Sequence, residues 1–100
     1  MTIPGDNWNK PASEELLEAI VSLETVDEAA AFMRDLCTRK ELDEMSRRWQ
    51  AVKLLDESIP YREISERTGL STATITRINQ WLQHGTGGYR SMLDTETSRS

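Results

Sequence analysis

The sequence predicts an all-α fold organised around a helix-turn-helix. Three observations carry that prediction. Apolar residues recur at three- and four-residue spacing along the chain, the period of a helix with one buried face. Two Thr-x-x-Glu sequences, Thr25–Glu28 and Thr38–Glu41, read as capping boxes that open helices. The stretch Tyr61 to His84, YREISERTGLSTATITRINQWLQH, reads as two short helices meeting at Gly69, with Ile64, Leu70, Ile75 and Ile78 as a buried seam.

One hundred residues suit a single domain with a modest helical core. Cys37 is the only cysteine, which excludes an intrachain disulfide and a cysteine metal cluster. With His84 the only histidine, no tetrahedral metal site is expected, and Cys37 reads as a small apolar packing residue. No basic-apolar-small leader opens the chain, and no apolar run approaches about twenty residues. A soluble, cytoplasmic protein is expected, with no membrane partner. Net charge is −5, but its distribution is uneven. Residues 1–60 hold seven Lys/Arg against thirteen Asp/Glu, residues 61–90 four against two, and residues 91–100 one against two. The helix-turn-helix segment is thus locally basic in an acidic chain, a modest electrostatic footprint for nucleic acid.

Taken in order, residues 1–10 (MTIPGDNWNK) show no period and read as an extended arm, with Trp8 either a packing anchor on a partner, the favoured reading, or simply exposed. A helix is expected from Pro11 or Ala12 to about Leu23. Leu16, Ile20 and Leu23 form one stripe, with Leu17 and Val21 beside it, and Glu14 and Glu15 stand in the first turn. That face is wider than one partner helix covers. The next helix opens at Thr25 and presents Val26, Ala29, Ala30, Met33, Leu36 and Cys37 on its apolar side. A third runs from Thr38 to about Asp56 with a seam of Leu42, Met45, Trp49, Val52 and Leu55. Ser58-Ile59-Pro60 breaks it, since Pro60 cannot continue a helix but can stand in the first turn of the next. After the motif, Gly85, Gly87 and Gly88 make a turn, and Tyr89, Met92 and Leu93 are expected to pack back as a short element. Residues 94–100 (DTETSRS) read as a disordered tail. The expected organisation is an arm (1–10), a domain (11–93) holding the motif at 61–84, and the tail.

The chemistry of Tyr61–His84 suits a unit that lays its second helix in the DNA major groove. Gly69 would close the first helix in a left-handed conformation, and small Ser65 would let the second helix cross closely. Ser71 would cap a helix beginning near Thr72. Outside the seam lie Thr72, Ala73, Thr74, Thr76 and Arg77, short polar or methyl-bearing groups plus one bidentate donor, suited to base edges and phosphates. Arg62, at the start of the first motif helix, is expected to meet phosphate; with Tyr61 and Ser71 it completes the candidate DNA-contacting set. Double-stranded DNA is the partner these residues predict. A plain helical hairpin, used for dimerisation or docking on a protein, is the competing reading, and the acidic balance favours it. No enzyme is expected, because no Ser or Cys nucleophile is evidently spaced to His84, and a His ending a helix commonly compensates the dipole.

At YREISERTGLSTATITRINQWL the sequence resembles the Trp repressor superfamily, and within it the smaller YerC/YecD type. CTRKELDEMSRRWQAVKLL and the Gly-rich GTGGYRSMLD are similar to the corresponding parts of that group, so the likeness covers roughly residues 12–94. The resemblance implies an all-α domain, an intertwined homodimer and a regulator that reads a two-fold operator with the second motif helix. It also implies a corepressor site between the long helix and the recognition helix. By motif, Arg77 and Thr74 match two residues of that site, and a second arginine falls on Arg48 or, with no deletion in the turn, on Arg47; Arg48 is favoured. Two departures count against tryptophan as effector. Ile78 stands where the family has a glycine and Trp81 where it has a serine, which predicts that ring space and amine contact are lost; no cofactor is expected, and DNA binding is then independent of any ligand or responds to another, unidentified effector. Pro60 likewise replaces a hydroxyl residue, removing a helix cap.

Overall fold

The computed structural model describes residues 11–99, with side chains through residue 96. The expected N-terminal arm, and Trp8 with it, lies outside the described residues. Every regular element among them is a helix: α1 (Pro11–Val21), α2 (Val26–Leu36), α3 (Arg39–Asp56), α4 (Tyr61–Thr68), α5 (Thr72–His84) and α6 (Gly88–Arg99). Packing divides the chain into two units, one ending at Leu42 and one starting at Asp43.

In the first unit, α1 starts at Pro11, whose missing N–H costs nothing at a helix start. At its end the Ser22 hydroxyl donates to the Ala19 carbonyl at 2.7 Å. Thr25 caps α2 by accepting from the Glu28 N–H at 3.0 Å. The Glu28 carboxylate accepts from the Glu24 N–H, one residue before the one a reciprocal box would use. Neither α1 nor α2 has a buried residue. The half-buried positions of α2 are Ala29, Phe32 and Met33, while Val26, Ala30 and Leu36, expected on the apolar side, are exposed.

Thr38 and Glu41 form the expected reciprocal box at the start of α3, with Thr38 N–H donating to Glu41 at 2.8 Å and Glu41 N–H to Thr38 Oγ1 at 3.1 Å. The Thr38 backbone N–H, and after it the Thr38 hydroxyl, hold the Glu41 carboxyl below its usual pKa. The expected seam of α3 needs correction. Ala51, Val52 and Leu54 are buried, Trp49 and Leu55 pack against them, and Met45 is exposed. A single stripe underestimates the buried arc because α4, α5 and α6 all contribute to the core around the end of α3: Ile64, then Ile75, Ile78 and Leu82, then Leu93.

The end of α3 is a Schellman turn. Ile59 N–H reaches back to the Leu54 carbonyl (3.1 Å) and Ser58 N–H to that of Leu55 (3.0 Å). Ser58 takes the left-handed position with φ of 63°, a place usually given to glycine. Pro60 then precedes α4 without a side-chain cap, as its chemistry predicts.

Two expectations about the C-terminus change. Residues 94–99 are helical rather than a disordered tail, because α6 runs on to Arg99. It is fastened to α3 by Arg90–Asp56 (2.9 Å) and Lys53–Glu96 (3.4 Å), and by Tyr89 lying 6.4 Å from Trp49, ring centre to ring centre. Leu93 is buried and Tyr89 packs on the core, but Met92 faces outward.

Candidate nucleic-acid interface

The turn between α4 and α5 positions the whole candidate surface, and its polar groups are closely accounted for. Gly69 closes α4 at φ of 77°, its N–H donating to the Ser65 carbonyl at 2.8 Å. Leu70 N–H reaches Thr68 Oγ1 at 3.2 Å, and the Leu70 carbonyl accepts from Ser65 Oγ at 2.7 Å. Ser65 is therefore more than a small residue at a crossing: it ties the turn. Thr68 is buried and also donates to the Ile64 carbonyl at 2.7 Å. From α3, Arg47 Nη1 donates to the Thr68 carbonyl at 3.2 Å. A turn so satisfied has few competing conformations, since a lost bond would strand a buried polar group.

Ser71 caps α5, accepting from the Thr74 N–H at 3.1 Å. Its hydroxyl donates to Thr74 Oγ1 at 3.0 Å, and Arg77 Nη2 donates to the same oxygen at 3.3 Å. With both acceptor sites of Thr74 Oγ1 used, its own hydrogen is free to donate outward. Thr72, Ala73, Thr76 and Arg77 are exposed and Thr74 half-buried. Thr76 spends its hydroxyl hydrogen on the Thr72 carbonyl (2.9 Å), leaving its methyl and oxygen lone pairs. Arg62 is almost fully exposed, 3.9 Å from Glu66 at the edge of ion pairing.

Tyr61 sits differently from the other candidates. It is half-buried, packs on the core and accepts a hydrogen bond from Asn79 Nδ2 at 2.8 Å. Sequence reasoning missed Asn79, and no local pattern could show it, since its partner stands eighteen residues away.

The four residues assigned to a ligand site have separate commitments. Arg77 and Thr74 are joined to each other. Arg47 is held by Asp43 (2.9 Å) and donates to the Thr68 carbonyl of the motif (3.2 Å). Arg48 is exposed. Ile78 is buried, whereas Trp81 is 58% exposed and fills no interior space. No group of three or more His, Cys, Asp or Glu among the described residues is arranged to hold a metal ion. No helix among them is long and apolar enough to cross a membrane.

The sequence pattern of the family described as Trp repressor protein matches residues 12–97. The chain belongs to the Trp repressor family. Within it, the chain is of the YerC type: it is 36% identical over 91 residues to the uncharacterized protein YerC of Bacillus subtilis (strain 168), covering 87% of this chain and 88% of the relative. Two solved structures of similar proteins share the all-α fold. A TrpR-like protein from Eubacterium eligens ATCC 27750 superposes with a TM-score of 0.84 at 40% identity, covering 89% of this chain and 92% of the other. A putative Trp repressor from Staphylococcus aureus gives 0.83 at 37% identity, covering 89% of each.

Proposed function

We propose that this Trp repressor family protein is a transcriptional regulator that binds double-stranded DNA as a homodimer, with α5 in the major groove and without tryptophan as corepressor. One observation carries the reading: Ser71, Thr74 and Arg77 form a hydrogen-bonded, solvent-facing edge at the start of α5, on a turn whose polar groups are satisfied. That edge offers a guanidinium, a free hydroxyl hydrogen and short side chains at the positive end of a helix, which suits phosphate and base edges. Thr72, Ala73 and Thr76 flank it, Arg62 stands exposed at the start of α4 with only a long ion pair to Glu66, and the phenol of Tyr61 retains a hydrogen to donate.

Homodimerisation is supported by the apolar surface that α1 and α2 leave uncovered. Val21 and Val26 are each more than 80% exposed, and Ile20 and Leu36 also face solvent. Light scattering behind a sizing column should give twice the chain mass at micromolar concentration.

The DNA reading is tested by mobility shift on random duplex DNA across a salt series, followed by selection of bound genomic fragments. Affinity should fall linearly in log-log form as salt rises, and selection should converge on a two-fold site. Absence of binding in both assays at low salt removes this reading. The second reading, docking on a protein, is favoured by the net charge of −5 and by exposed Trp81.

A further inference from the structure

We infer that Arg47 is a positioning residue, fastening the helix-turn-helix to α3 from within the chain so that α5 keeps its DNA-reading attitude without a bound effector. The inference rests on the DNA-binding reading above.

The Arg47 guanidinium spans two anchors. Nε meets Asp43 Oδ2 at 2.9 Å, one turn back on α3, and Nη1 meets the Thr68 carbonyl at 3.2 Å. Thr68 ends α4, so this carbonyl belongs to the last turn, where acceptors have no partner within the helix. It also lies at the negative end of the helix dipole, which favours a cation. Gly69 N–H, Leu70 N–H and the Leu70 carbonyl are satisfied inside the motif, but the Thr68 carbonyl is reached from α3. This contact therefore carries information that the motif alone lacks, namely its orientation against the long helix. A planar, forked donor suits the task, because one group holds two acceptors in fixed relation.

Gly69 is the seat of this arrangement. A Cβ there would stand 2.6 Å from Arg47 Nη1, and the backbone at φ of 77° already disfavours side chains. Glycine satisfies the conformation and the approach together. The engaged guanidinium has a further consequence. Its Nε–H and one Nη1–H are committed inside the chain, which leaves an acidic effector three of the five N–H donors.

The test compares the full chain with Arg47→Ala and Arg47→Lys. Hydrogen exchange is read at Gly69 and Leu70 against Val52 and Ile75, and affinity for duplex DNA is measured across salt. In Arg47→Ala the turn amides should exchange about tenfold faster while the core amides are unchanged. DNA affinity should fall about three- to tenfold, the effect of one half-exposed charged hydrogen bond. The salt slope should not change, because no phosphate contact is lost. Arg47→Lys, which keeps a donor within reach of the carbonyl, should recover part of the turn's protection. Unchanged turn exchange in Arg47→Ala overturns the inference, and so does a salt slope reduced by about one, which would make Arg47 a phosphate contact. If the turn loosens in Arg47→Ala but the unaltered chain ignores DNA, the DNA-binding reading falls, and this role with it, while the fastening contact stands.

Discussion

Tyr61, the first residue of α4, accepts a hydrogen bond from Asn79 of α5 at 2.8 Å, so the two motif helices are bonded directly across their crossing. Tyr61→Phe should cost about 0.5–1.5 kcal/mol of stability, and Asn79→Ala a similar amount. The double variant should cost clearly less than the sum, since both changes remove one bond. Urea denaturation of the four proteins measures this, and simple additivity would show that the bond contributes nothing.

Ile78 and Trp81 lie three residues apart on α5 and should respond very differently. Ile78 is 4% exposed, so Ile78→Ala should cost about 2–4 kcal/mol through lost burial and a cavity. Trp81→Ala should cost less than about 1 kcal/mol, because the ring mostly faces solvent. With Ile78 fixed in the core, calorimetry with L-tryptophan should detect no binding. Micromolar binding would show that the ring slot survives.

Arg77→Ala should weaken DNA binding by about 1–3 kcal/mol and change the selected sequence, as loss of a base-reading guanidinium does. Arg62→Ala should weaken every sequence alike and lower the salt slope by about one, as loss of a phosphate contact does. Competition binding on selected and random duplexes distinguishes the two. Identical behaviour in both variants would count against placing α5 in the groove.

Ser58 holds the left-handed position of the Schellman turn without being glycine. Ser58→Gly should stabilise the protein by about 0.5–1 kcal/mol and raise its melting temperature by a few degrees. Ser58→Val, which adds a branched side chain to the same backbone, should lower it.

Acid should loosen the start of α3. The Thr38 N–H and hydroxyl hold the Glu41 carboxyl more acidic in the folded chain than in the unfolded one. A lowered folded pKa means the contribution is present at neutral pH and lost as pH falls through that lowered value. Carbon-13 titration of Glu41 should show a midpoint below the ordinary glutamate range. A normal midpoint would mean that the box is not populated in solution.

Much of this was legible in the residues because it is local. The Thr38–Glu41 box, the Ser71 cap and the glycine at the end of α4 are settled within four or five positions of chain, where spacing determines which groups can meet. The seam of Ile64, Leu70, Ile75 and Ile78 followed from helical period, and the family from the motif those residues share. What the period could not supply was the arc of burial. On α3 it pointed to Met45 and Leu55, whereas Met45 is exposed, Leu55 is only partly buried, and the surrounding helices bury Ala51 and Leu54. It also could not foresee that α6 continues past residue 93, since ion pairs to Asp56 and Lys53 bridge more than thirty residues. The same limit governed the site. Sequence determined that Arg77, Thr74 and Ser71 share the start of one helix; the tertiary structure decided that Arg47 reaches the end of α4, that Asn79 holds Tyr61, and that Trp81 stands outside the core. Those outcomes depend on which helix lies opposite a side chain, and helical spacing specifies a face but not what packs against it.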